Sequence, residues 1–277
     1  MSGVLRLTIL GCGSSGGVPR VGGDWGACDP SNPKNRRTRG SLLVERKAAG
    51  APWGPETTTT VLVDTSPDMR AQLLAADVRR LDAVLLTHDH ADQTHGVDDL
   101  RAFWMRQRAR VPVYMDEATA AVMTHRFAYC FRQPEGSPYP AIADARVTLG
   151  PGVETVVEGP GGPITALALD QDHGFVRSLG FRFGAAAYSN DVVELPDATM
   201  AALADLDLWI VDALQDGPHM SHAHVDKTLG WIERLAPKRA VLTNMHQSLD
   251  YEALTARCPP GMQPAWDGMR IELEARD

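Results

Sequence analysis

The stretch at 84–100, Val-Leu-Leu-Thr-His-Asp-His-Ala-Asp-Gln-Thr-His-Gly-Val-Asp-Asp-Leu, constrains this chain more than any other. Four apolar residues at 83–86 read as a buried strand that stops at Thr87. Three histidines and four aspartates then fall within twelve residues, and Gly96 opens an apolar stretch compatible with a helix. In an extended turn His88 and His90 point the same way, because side chains alternate with period two. Asp92 reaches the same side if the turn continues. Two imidazoles and a carboxylate at the end of a buried strand suit zinc or a similar divalent ion. The bland alternative is a polar loop whose histidines cap the next helix, and this density of ligand-type residues argues against it.

At 277 residues the chain is long enough for one large domain or two small ones, with a substantial core. The net charge of −8 argues against general binding to nucleic acid or an anionic membrane, both of which reward excess Lys and Arg. It leaves room for a phosphate-bearing small molecule, since a metal supplies local positive charge. No apolar run approaches the roughly 20 residues needed to span a bilayer. Residues 1–10 lack the charged start, long apolar stretch and cleavage site of a signal peptide, so a cytoplasmic location is expected. Cys12, Cys28, Cys130 and Cys258 are widely spaced and form no Cys-x-x-Cys pair, so they read as small core residues or free thiols.

A first strand is read at 5–10, followed by the glycine-rich turn at 11–17, which lets backbone pass close to a ligand. It contains Gly-x-Gly but no helical pattern follows, which weakens a dinucleotide reading. The irregular, basic stretch at 18–40 reads as an ordered loop anchored by Trp25 and Cys28. Strands are expected at 41–45, 60–64, 81–87, 111–115, 164–169, 206–213, 239–243 and 270–274, with hairpin arms at 179–183 and 185–188. Helices are expected at 67–78, 97–109, 117–125, 197–203, 223–235 and 250–256, and an aromatic, proline-rich loop or lid at 127–145. This mixture gives an α/β layered domain.

The ligand-type residues recur at one structural position. His88, His90 and Asp92 end one expected strand; His173, Asp191 and His246 end others; His222 and His224 follow a further strand. Together they can build one metal site, or two bridged by a carboxylate. His125, amid apolar neighbours, is given no role.

At these residues the chain resembles the metallo-β-lactamase-fold hydrolases, whose signature is His-x-His-x-Asp-His, and within them the PhnP-type cyclic-phosphate phosphodiesterases. The likeness extends over 8–19, 86–101, 172–174, 189–196, 224–226, 242–246 and 266–271. It implies a single hydrolase domain over 1–277 with a four-layer αβ/βα sandwich, and one or two divalent ions, Zn²⁺ and/or Mn²⁺. By position, the resemblance gives His88, His90 and His173 to the first metal and makes Asp191 a bridge to a second, held also by Asp92. It puts His224 where the family has a histidine that contacts the phosphate, with His222 the lesser candidate for that part. Two departures stand out: Gln93 and Asn244 lie where the family has histidines. His246 is the expected substitute for the missing nitrogen ligand, and His95 a lesser one.

The implied activity is a metal-dependent phosphodiesterase on a small cyclic or nucleotide phosphodiester, with a metal-held hydroxide attacking phosphorus and a histidine protonating the leaving oxygen. Two alternatives stay open. One is an RNase Z-like nuclease, against which the acidic balance weighs. The other is a catalytically weak metal- or nucleotide-binding protein with a degraded second metal site. A small phosphodiester or nucleotide is the expected partner, with no membrane and no nucleic acid; a homodimer is compatible with the sequence.

Overall fold

A computed structural model describes residues 3–276. Strands and helices alternate through both of its seven-stranded mixed sheets. In the first sheet the closing strand Met269–Ala275 lies beside β1 (Gly3–Gly11). There follow β2 (Ser41–Ala48), β3 (Thr58–Val63), β4 (Ala83–Leu85), β5 (Val111–Met115) and β6 (Ala143–Val147). Strands β3 to β6 run parallel, in register Val63 to Leu85 and Val84 to Val113. Every residue of β3 and β4 is buried. Strands covered on both faces read as continuous apolar runs, which is why 83–86 shows no alternation.

The second sheet runs from β7 (Glu154–Val157) through β8 (Ile164–His173), β9 (Val176–Phe183) and β10 (Ala186–Ser189). It continues with β11 (Leu208–Asp212), β12 (Ala240–Thr243) and β13 (Met262–Pro264). Strands β8, β9 and β10 pair antiparallel and β10 to β13 parallel. Tyr188, Phe181, Phe183 and Trp209 fill its core, and the Trp209 indole donates to Ser189 Oγ at 3.1 Å.

By contact density the chain divides into two compact units. One holds Ser41–Thr165 with the strand residues 3–8 and 270–276; the other holds Ile9–Gly40 and Ala166–Met269. In each, the carboxyl ends of parallel strands gather on one sheet edge, where open α/β sheets place their ligands. That edge carries Asp64 and residues 86–88 in the first unit. In the second it carries Asp191, Asp212 and Asn244.

The departures from expectation are local. Strand β8 continues through Asp170–His173 because its partner β9 begins at Val176, leaving a two-residue turn with Gly174 at φ +76°. The segment 127–145 is no uniform loop. A short helix, Ala128–Phe131, buries Cys130, and residues 143–147 pair parallel with β5. The basic stretch 18–40 is ordered as expected, but its anchors are Cys28 and Arg37 rather than Trp25, which is only half-buried. Arg37 is fully buried and donates to the Leu249 carbonyl at 2.7 Å, a use of arginine that leaves no sequence signal.

Candidate active site

In the first unit the chain leaves β4 at Thr87, whose N–H and hydroxyl both donate to the buried Asp64 carboxylate at 2.8 and 3.1 Å. Asp64 stands at φ +64°, a conformation that non-glycine residues hold only where the surroundings enforce it. The Thr87 hydroxyl also lies 2.9 Å from His88 Nδ1, fixing a ring that is itself buried. His90 is exposed at the amino end of the short helix Ala91–Thr94, and the His88 and His90 rings meet edge to face, centroids 4.5 Å apart. Asp92, half-buried, accepts from Gln93 Nε2 at 3.3 Å. Gly96 explains its own identity: a Cβ there would stand 2.1 Å from the Ser66 carbonyl oxygen. His95 points elsewhere, onto Phe127.

In the second unit His173 ends β8, and its Nδ1 donates to the Ser221 carbonyl at 2.7 Å. That donation fixes the ring's tautomer and orientation. Asp191, buried and at φ +53°, follows β10; it accepts from Asn190 Nδ2 at 2.8 Å and from Asn244 Nδ2 at 3.1 Å. His222 Nδ1 lies 2.9 Å from Oδ2 of Asp212, a fully buried carboxylate that also accepts from Val192 N–H at 3.1 Å. The His173 and His222 rings stack edge to face at 4.7 Å, and ligand atoms of His173, Asp191 and His222 all lie within 4.8 Å of one another. His173 and Asp191 offer the imidazole and carboxylate donors a divalent cation takes, and His222 stands beside them with Nδ1 tied to Asp212. His219 stacks on His222 at 5.2 Å; burial and then the His222 charge hold it below the usual histidine range.

His224 and His246 sit differently. His224 is the residue before the helix Val225–Leu235, and its ring makes no hydrogen bond among the described residues. His246 has both ring nitrogens engaged: Nε2 lies 2.7 Å from Arg20 Nη2 and Nδ1 3.0 Å from Ser248 Oγ. A guanidinium can only donate, so the Nε2 lone pair that a metal would need is already taken. Asp212, absent from the sequence reading, could have been found there: like Asp191 it is a lone carboxylate closing an apolar strand. A cavity of about 420 Å³ lined by Arg6, Glu45, Trp53, Arg79 and Arg80 lies at the amino ends of β3 and β4, the edge opposite His88.

Residues 59–245, which take in every one of these ligand-type residues except His246, match the family model of the Beta-lactamase superfamily domain. The chain belongs to that superfamily. Its fold class is the metallo-β-lactamase αβ/βα sandwich, and membership together with the histidine–carboxylate sets supports a metal-dependent hydrolase. Among solved structures the chain resembles a crystal structure described as a new diphosphatase from the PhnP family: 33% identity, 99% of each chain covered, TM-score 0.84. That match bears out the PhnP-type resemblance. Zn²⁺-bound PqqB from Methylobacterium extorquens, 18% identical over 97% of this chain and 100% of its own, shares the fold at TM-score 0.70. A curated relative, the octanoyltransferase of Porphyromonas gingivalis, is 30% identical over 98% of this chain. The chain spans about half of that protein's length, 52%. No helix among the described residues is long and apolar enough to cross a membrane.

Proposed function

We propose that residues 1–277 act as one cytoplasmic hydrolase domain, a metal-dependent phosphodiesterase for a small cyclic or nucleotide phosphodiester. The observation that carries this reading is the half-buried His222 backed by the fully buried Asp212 and set against His173 and Asp191. The 33% identity with a PhnP-family diphosphatase supports reaction at phosphorus. The match to half of an octanoyltransferase supports no acyl transfer by this superfamily domain, since half of that protein has no counterpart here.

The superfamily resemblance gives His88, His90 and His173, with Asp191, to a zinc or manganese ion, and Asp92 follows His90 by two residues. Such an ion, when bound, supplies positive charge to the phosphoryl oxygens and a water of lowered pKa. The proton for the leaving oxygen comes from His222 rather than His224. Donation of Nδ1–H to Asp212 aims Nε2 away from the carboxylate, and the buried negative charge favours the imidazolium that must give up the proton. His224 lies at the amino end of an eleven-residue helix, and its ring makes no hydrogen bond among the described residues.

Turnover of bis(p-nitrophenyl) phosphate with added Mn²⁺ or Zn²⁺ tests the reading. Hydrolysis that chelation and His90→Ala both abolish supports it. Tight nucleotide binding with no turnover under any metal would replace it with a binding protein.

A further inference from the structure

The edge of the first sheet opposite His88 holds a cavity of about 420 Å³ that the hydrolase reading does not use. Its walls come from one compact unit: Arg6 on β1, Glu45 on β2, Trp53 between β2 and β3, residues 76–80 after the helix Met69–Ala75, and Arg270 on the closing strand. Arg79 and Arg80 belong to the 76–80 segment, so four guanidiniums converge there in a chain whose net charge is −8.

Each guanidinium is held by an acceptor and keeps donors to spare. Glu45 accepts from Arg6 Nε at 2.7 Å and Nη2 at 2.8 Å. Arg6 Nη1 is left without a partner among the described residues, although the side chain is only 13% exposed. Asp77 takes Nε and Nη2 of Arg79 at 3.0 and 3.2 Å, and Asp82 takes only Nε of Arg80, at 2.8 Å. The hydrogen bond of Arg270 is a long one, Nη2 to the Ala76 carbonyl at 3.5 Å. Three carboxylates are thus spread over four guanidiniums, and a guanidinium has five N–H donors and no acceptor. The pairs fix the forks in place; the surplus donors and charge suit an anion, and planar forks match phosphate oxygens.

The remaining wall is apolar. The Arg6 guanidinium lies 3.8 Å from the centre of the Trp53 ring, which holds the indole against the cavity, and Val78 adds to the same apolar surface. Inorganic phosphate would fill little of the space, whereas cavities of this size take organic small molecules. We infer that this cavity is a second binding site, for a small phosphomonoester of the nucleoside monophosphate class, on the sheet edge opposite His88. The inference goes beyond the hydrolase reading and does not depend on it.

Isothermal titration of the full chain with AMP tests it, since a phosphomonoester has no diester bond to hydrolyse. AMP should bind saturably to wild type and to His90→Ala alike, with inorganic phosphate and adenosine each at least about tenfold weaker. Arg79→Ala/Arg270→Ala removes two exposed side chains, leaves the Arg6–Glu45 pair intact, and should weaken AMP by roughly tenfold or more. Arg270→Gln, which disturbs no carboxylate pair, gives the same comparison if the double variant does not fold. Absence of saturable AMP binding to the wild type overturns the inference. So does AMP binding that the arginine variants keep in full, whether or not His90→Ala loses it. Inorganic phosphate or adenosine binding as tightly as AMP also overturns it, because recognition would then need only one half of the ligand.

Discussion

Asp267 offers the sharpest contest between two opposing effects. Its side chain accepts from Cys12 N–H at 3.1 Å, from Cys12 Sγ at 3.4 Å, from Thr38 N–H at 2.7 Å and from the Thr38 hydroxyl at 2.6 Å. It thereby ties the glycine-rich turn and the end of the basic loop to the residues before the closing strand. Burial pushes its pKa from the ordinary 3.8 up to about 6, and the four donors pull it down without winning. An acid whose pKa is higher folded than unfolded favours the folded state while it is protonated. Its contribution is therefore full below about pH 3.8 and is lost as pH rises through about 6. Roughly two units at about 1.4 kcal/mol each give about 3 kcal/mol at most. Asp267→Asn cannot ionise, so it lacks this loss, but its amide turns N–H toward one backbone donor and costs about 1–3 kcal/mol at every pH. Urea unfolding of both proteins at half-unit steps from pH 4.5 to 7.5 isolates the effect, because other titrating groups cancel in the difference. Over that range the stability advantage of the wild type should shrink by about 2 kcal/mol, the rest of the loss falling below it. An advantage that stays constant or grows would mean that the four donors outweigh burial and hold the carboxylate ionised, refuting the reasoning.

The remaining predictions concern the site and its frame. His222→Ala should lower turnover of alkyl phosphodiesters by roughly 10²–10³-fold, with a much smaller loss on p-nitrophenyl esters, whose leaving group needs no proton. His224→Ala should show no such split, and initial rates on the two substrate classes check both. Asp212→Asn should reproduce the His222→Ala selectivity and shift the pH–rate profile, because the amide no longer favours the charged imidazole. Gly96→Ala places a Cβ 2.1 Å from a backbone oxygen, so backbone must move and stability should fall by about 4 kcal/mol or more by urea melt. Stripping metal with a chelator should lower the melting temperature by calorimetry and readdition restore it, since an ion bound only by the folded state stabilises it.

Which parts of this were legible in the sequence follows from how local each interaction is. The strand at 83–85, with His88 and His90 just beyond it, is written in adjacent residues, and alternation alone brings the two rings within 4.5 Å of each other. The resemblance to the superfamily came from the same short run. The division of labour among His222, His224 and His246 is different in kind. It depends on which acceptor each ring meets, and Asp212, Arg20 and Ser248 are separated from those histidines by 10, 226 and 2 residues respectively. Nothing in the spacing of His222 and His224 marks one as backed by a buried carboxylate and the other as a bare residue at a helix start. Arg37 and Asp267 make the same point for the fold, since a buried cation on carbonyls and a buried acid on four donors look like surface residues in a string of letters. The two amides lie between these cases. Gln93 and Asn244 are visible as departures from a pattern, yet whether such a departure empties a metal position or refills it from elsewhere turns on where the amide nitrogen points. Gln93 turns its N–H to Asp92 and Asn244 to Asp191, contacts that only the folded chain fixes, because the partner of Asn244 lies 53 residues away.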